Sequence, residues 1–309
     1  MDKFLAVLQV ILPIFVTVAL GVYARRREIL TQDQIKGLQQ FVMKFGLPCV
    51  LFNSCLGASL GSESVISMLL VIPLLLGSAF LSFRLRKHKF TYHNLPQLFA
   101  AQETGMLGIP LFIALFGVSE AYRMGVLDLA QIVIAVPVIA ILSANTGKDP
   151  TPLEIAGNVF RSPFLISSLL GLALNLSGLA ASLDGIGVLP IITETTFFLA
   201  QPVSAVMLFS VGFNFSLNRN YRTTIFRIAS VHSGLFVLFC AVMQSALLLV
   251  PDVDARTRWA VLLYCLLPSS YLTPSLGRSE EDSIIASGVC SLLTITCLIA
   301  FCVMTICVV

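Results

Sequence analysis

The sequence predicts an all-α polytopic membrane protein of ten transmembrane helices, on three observations. Hydrophobic residues make up 57% of the 309, charged residues only 11%, and mean hydropathy is +0.93, far above soluble chains. Ten apolar runs each approach the roughly 20 residues that a helix needs to cross hydrocarbon. The connections between them are too short to hold a soluble domain. Cys49, Cys55, Cys240, Cys265, Cys290, Cys297, Cys302 and Cys307 all fall within apolar runs and lack zinc spacing. They read as small buried hydrophobes.

The runs lie at 4–24, 35–56, 64–83, 96–116, 122–143, 160–178, 190–213, 225–250, 258–276 and 283–308. The first has the length of a signal-peptide core. Arg25-Arg26-Arg27 follow it, however, with no small-residue cleavage site, so it reads as a retained span. The longest connection, 144–159, carries Lys148-Asp149-Pro150-Thr151-Pro152 and reads as a linker between residues 1–143 and 160–309. Fourteen Lys and Arg fall on the loops of one side and four on the other. The positive-inside rule then puts both termini outside the cell (plasma or inner) membrane.

The two halves share a pattern. Pro13 and Gly21 bracket seven residues in span one, as Pro163 and Gly171 do in span six. Pro48 of span two has a counterpart in Pro202 of span seven, and Pro110 of span four one in Pro268 of span nine. Five is an odd number of spans, so a duplication places the halves in opposite orientations, a 5+5 inverted repeat.

Span four is interrupted. Gly105, Gly108 and Pro110 loosen the helix or remove a donor, and Gln102-Glu103-Thr104 stand just upstream. Backbone groups freed in hydrocarbon survive only against protein or a water-filled cavity. An ionisable residue at that depth is functional by default. Broken, charged spans near mid-membrane are how secondary transporters build solute sites. Glu103, Thr104, Gly105 and Pro110 are therefore candidate solute residues, with Pro268, Ser269 and Ser270 opposite them and Asn53 lining the site from span two or bonding between helices. Glu103 is the first candidate for ion coupling. Asp128 and Gln131, three apart on one face of span five, either hold a cation or brace the break. Lys44 reads as a buried partner for an acid, and His232 and Glu194 as interfacial residues. The Arg84-to-Lys89 run reads as a loop facing anionic headgroups rather than nucleic acid.

These residues carry a resemblance. Leu12-Pro13 and Gly21-Val22-Tyr23, the Phe41-Val42-Met43-Lys44-Phe45-Gly46-Leu47-Pro48 stretch, Gly108-Ile109-Pro110-Leu111 with Gly117, and Leu267-Pro268-Ser269-Ser270 stand in the order found in the auxin efflux carrier family. That family belongs to the bile/arsenite/riboflavin transporter superfamily, and the short linker is similar to that of its bacterial members. The resemblance implies a bile-acid-symporter-like fold in which broken helices four and nine cross. It also implies a scaffold of spans one, two, six and seven, a mobile domain of the other six, and a homodimer. Plant carriers have Pro-Asn-Thr where this chain has Gln102-Glu103-Thr104. A fixed carboxylate there repels an anion unless protonated, which argues against an auxin-like solute.

The expected function is secondary active transport of a small organic solute, an organic anion or carboxylate, by alternating access. The expected partners are membrane lipids and the solute, with H⁺ or Na⁺ coupling and no cofactor or metal. The alternative is a carrier of cations or amino acids that uses Glu103 as a charged ligand. A channel would need a filter-like loop, and an enzyme a catalytic set such as His-Glu-x-x-His or Gly-x-Ser-x-Gly; neither is present.

Overall fold

A computed structural model describes residues 2–58, 62–88, 92, 95–143, 157, 161, 163–216, 218–276 and 279–308. Nearly all of the linker expected at 144–159 lies outside them. The described residues are helical, with no strand beyond one isolated bridge.

The first half begins with α1 (Asp2–Arg26), whose basic last turn complements the helix dipole. Thr31 starts α2 (Gln32–Phe41) with a capping box: its hydroxyl accepts from the Gln34 amide, and the Gln34 side chain accepts from the Thr31 amide. A π-turn (Val42–Gly46) runs on into α3 (Leu47–Leu56). There follow α4 (Ser62–His88), α5 (Leu95–Ala100), a second π-turn (Thr104–Gly108), α6 (Ile109–Phe116) and α7 (Tyr122–Ser143). The second half has α8 (Pro163–Ser177), α9 (Leu179–Gly185), α10 (Val188–Ala200), α11 (Pro202–Phe213), α12 (Arg222–Leu248), α13 (Ala255–Leu266) and α14 (Glu280–Val308).

Among the described residues, five helical stretches are long and apolar enough to cross a membrane: Phe4–Arg26, Ser64–Arg86, Val188–Phe213, Arg219–Leu248 and Glu280–Val308. The α8–α9 pair makes a sixth if it counts as one span; it bends by 82° at Gly178, whose φ of 72° suits glycine. Large apolar side chains such as Leu20, Phe80, Leu170, Phe198 and Leu238 are exposed on the outside of these helices, as a hydrocarbon solvent allows.

Neither half of either interrupted segment reaches across hydrocarbon alone; eight-residue α6 is about 12 Å long. The break in the fourth run also sits elsewhere than the glycines and proline suggested. The chain leaves helix at Ala101–Glu103, and Gly105 to Pro110 are helical. Pro110 is accommodated because the π-turn shifts the pattern so that Ile109 N–H reaches the Thr104 carbonyl. The same device precedes Pro48, where Leu47 N–H reaches the Val42 carbonyl. In the ninth run α13 ends at Leu266, and residues 267–272 are extended or turn.

Two close helix contacts give the architecture its rigidity. A methyl group on Gly21 would lie 2.0 Å from the Phe209 carbonyl oxygen and 2.7 Å from the Phe213 nitrogen, and one on Gly212 would lie 1.9 Å from the Val18 oxygen. On the other side of the molecule, a methyl on Gly171 would lie 2.5 Å from the Phe52 oxygen and 3.2 Å from the Leu56 nitrogen. Small residues thus let α1 meet α11, and α8 meet α3, backbone to backbone. Gly21→Ala or Gly212→Ala is expected to destabilise the fold by about 1–3 kcal/mol. Gly234, with nothing within 4 Å of a methyl group, should accept Ala without loss. Thermal unfolding followed by circular dichroism in detergent checks both.

Candidate functional site

The breaks of the two interrupted segments meet. Gln102 and Ser269 form an antiparallel bridge, the Glu103 amide donates to the Pro268 carbonyl at 2.8 Å, and the Ser270 amide donates to the Ala101 carbonyl at 3.0 Å. Chain that cannot hydrogen-bond as helix in an apolar interior is therefore satisfied by its partner segment. Side chains complete the join. Ser269 donates to the Leu98 carbonyl at 2.5 Å. The Gln102 amide nitrogen donates to the Leu267 and Pro268 carbonyls, which turns its oxygen towards His232 Nε2 at 3.4 Å.

Gln131 of α7 is the hub of the crossing. Its oxygen accepts from the Gln102 amide (2.8 Å) and the Tyr264 hydroxyl (3.0 Å). Its nitrogen donates to the Gln102 carbonyl (3.1 Å), Thr104 Oγ1 (3.2 Å) and Asp128 Oδ1 (2.5 Å). Thr104 donates to the same Asp128 oxygen. The face shared by Asp128 and Gln131 is thus turned onto the break in the neighbouring segment.

Glu103 stands at the head of the half-helix formed by the second π-turn and α6. One carboxylate oxygen accepts from the Met106 amide at 3.2 Å, as an N-cap does, and the other from the Tyr271 amide at 2.6 Å across the crossing. A helix N-terminus suits an anion, and this chain supplies its own. Glu103 and Ser270 also line a cavity of about 650 Å³ together with Lys44, Met106, Tyr271 and Thr294. Its mouth lies among Arg25, Gln32, Lys36 and Asn214, at the end where α1 stops and α2 starts. At the far end of the α2–α3 segment, Ser54 donates to the Ser119 carbonyl at 3.2 Å and accepts from the Tyr122 amide. There Arg123 is buried between Glu120 (2.8 Å) and Asp254 (2.6 Å), and Arg256 also pairs with Glu120 (2.8 Å).

Of the expected solute residues, then, Glu103 and Ser270 face the cavity. Thr104, Pro268 and Ser269 build the crossing behind it. Gly105 lies in the π-turn, where an added methyl would make ordinary contact with Leu47, and Pro110 is packed inside α6. Asn53 lies away from the cavity, accepting from Thr196 of α10 at 2.8 Å. Three further readings change. Lys44 is not a buried partner of an acid: it lies exposed on the cavity wall. His232 is not interfacial: it is 1% exposed, stacked on Phe236 and packed by Phe99 beside the crossing. Tyr264 and Tyr271 were missed because their partners lie more than a hundred residues away in sequence.

Gln131→Leu removes the amide that satisfies the Gln102 backbone and the Tyr264 hydroxyl and strands these buried groups, so a stability loss of about 3 kcal/mol is expected. Asn53→Ala should cost under about 1 kcal/mol, because Thr196 keeps its bond to the Ile192 carbonyl. Melting of the two variants in the same detergent checks the contrast.

Comparison with known proteins agrees with this geometry. Residues 6–157 match the model of the family described as membrane transport protein. The uncharacterized transporter YfdV of Escherichia coli strain K12 is 24% identical over 234 residues, which cover 69% of this chain and 72% of the relative. YfdV of Escherichia coli O157:H7 and of Shigella flexneri match over the same extent with the same identity. Neither the family nor these relatives are described as enzymes. With its apolar helices, the chain is a multi-pass membrane protein that over residues 6–157 is similar to the membrane transport protein family.

Proposed function

We propose that the chain is a secondary active carrier of a small organic anion or carboxylate that works by alternating access and is driven by a H⁺ or Na⁺ gradient. The observation that carries this is the join between the two broken segments, with the Glu103 carboxylate capping one half-helix at the head of a cavity that opens at one end of the molecule. Half-helix ends aimed at a solute are what such carriers use. Ten spans in a 5+5 inverted repeat (1–143, linker 144–159, 160–309) are part of the proposal. The twin glycine contacts support it: Gly21 of run one meets a carbonyl and the amide four residues on in run seven, and Gly171 of run six does the same in run two. Both termini would lie outside the cell membrane, with the cavity mouth inside. In a background without native cysteines, reporters at Asp2 and Val308 should label from outside and one at Arg86 only from inside. Termini on opposite faces would remove the repeat.

In this reading Glu103 and Ser270 contact the solute. Thr104, Gly105, Pro110, Pro268 and Ser269 shape the crossing, Asn53 braces the scaffold, and Glu103, Asp128 and Gln131 couple ion to solute. Lipids surround the carrier, a homodimer is its assembly, and no cofactor takes part. The carboxylate in the cavity also favours a second reading, in which Glu103 binds a cationic or amino-acid solute directly. Reconstituted carrier separates the two. Under coupling, Glu103→Gln should still exchange solute across the vesicle but lose gradient-driven accumulation. Under direct binding, exchange itself should fail. Unchanged accumulation in Glu103→Gln would leave neither role standing.

A further inference from the structure

The cavity wall carries a cation that none of the roles above uses. Gln32, Lys36, Gln40 and Lys44 are spaced by four and form a polar stripe along one face of α2 and its π-turn, and all four line the cavity. The stripe begins at the mouth and ends at Lys44, level with an apolar stretch of the segment in which Val42, Gly46 and Leu47 are buried. Its spacing puts it there: Lys44 stands two residues from both Val42 and Gly46, hence on the opposite helix face, and Gly46 faces α11, where a methyl would come within 2.7 Å of Val203. Single π-turns inside α-helices mark functional positions, and an ionisable residue within a span that faces a water-filled cavity is a ligand by default.

The other charges lining the cavity are already occupied. The Arg25 guanidinium donates to the Phe213 (3.3 Å) and Phe215 (2.7 Å) carbonyls, and Lys36 pairs with Asp33 at 3.4 Å. Glu103 accepts from two backbone amides. Among the described residues no ion pair joins Lys44.

We infer that Lys44 is the ligand for the anionic group of the solute, held across the cavity from Glu103 and Ser270, and that the Gln32–Lys36–Gln40 stripe leads an anion to it. The solute is then a carboxylate bound at its charged end by the α2–α3 segment and at its other end by the crossing. Both ends of the site close on one molecule, so neither segment alone sets affinity. The inference rests on reading this cavity as the solute site.

Two measurements test it. The first needs no known solute: a cysteine at Gln40, one turn from Lys44, is labelled with anionic and with cationic methanethiosulfonate reagents of similar size, and the signal of the chain lacking that cysteine is subtracted. Lys44→Gln should lower the anionic-to-cationic rate ratio about tenfold, and Lys44→Glu should lower it further. An unchanged ratio overturns the inference. The second is counterflow of labelled acetate, succinate and citrate in proteoliposomes. For whichever is exchanged, Lys44→Gln should raise KM about tenfold with little change in kcat, and Lys44→Arg should restore most of it. An unchanged KM also overturns it. If the ratio falls but the wild-type chain exchanges none of the three, the anion site on Lys44 stands and the carboxylate-carrier reading fails.

Discussion

Everything in this structure depends on how two helices can stop in the middle of an apolar interior. Each interruption frees backbone groups that hydrocarbon cannot solvate, at several kcal/mol apiece. The two breaks solve this together, by pairing Gln102 with Ser269 and exchanging the bonds Glu103–Pro268 and Ser270–Ala101. Neither break is stable without the other. The join is one of the points at which the halves of the chain meet, and it holds the carboxylate at the head of the cavity.

The join is reinforced by hydrogen bonds among amide, hydroxyl and carboxylate groups rather than by ion pairs. Gln131 has one acceptor and two donors, and all of them are engaged, so the crossing keeps its shape without a buried charge pair to desolvate. The ion pairs of the site's surroundings sit instead at the end away from the cavity mouth, where Arg123 ties the start of α7 to the start of α13. Rigid pieces of this kind are what a carrier needs if its motion is to be one of bodies rather than of loops.

How much of this the sequence contains depends on how local each cause is. Helix positions follow from hydropathy alone, and the existence of breaks follows from proline and glycine. The position of the first break does not. Ala101, Gln102 and Glu103 include no breaking residue, and their extended backbone is set by a partner some 167 residues away. Pro110 pointed to the right segment and the wrong turn, because a π-turn absorbs its missing donor. Lys44 was misplaced because its depth within an apolar run says nothing of its face: two residues from both buried Val42 and buried Gly46, it lies on the opposite side, one turn after Gln40. His232 was read as interfacial because its burial is set by Phe99, far away in sequence, and not by its own helix. The polar stripe from Gln32 to Lys44 was readable throughout by its period of four.

The electrostatics of the cavity follow from where its charges stand. A bare half-helix N-terminus would attract an anion, but Glu103 already caps it and meets the Tyr271 amide as well. A solute carboxylate therefore cannot use those amides while Glu103 holds them, and its counter-charge has to come from another wall. The α2–α3 segment provides one in Lys44, which lines the same cavity as Glu103. The α2–α3 segment packs on α8, α10 and α11 and the half-helix on α11, α7 and α13, so both walls of the cavity rest on α11 and solute binding would draw them together across it. Movement of one against the other changes the distance between Lys44 and Glu103 directly. A site divided in this way senses its own closure, because the full set of ligands exists only when both walls face the same solute.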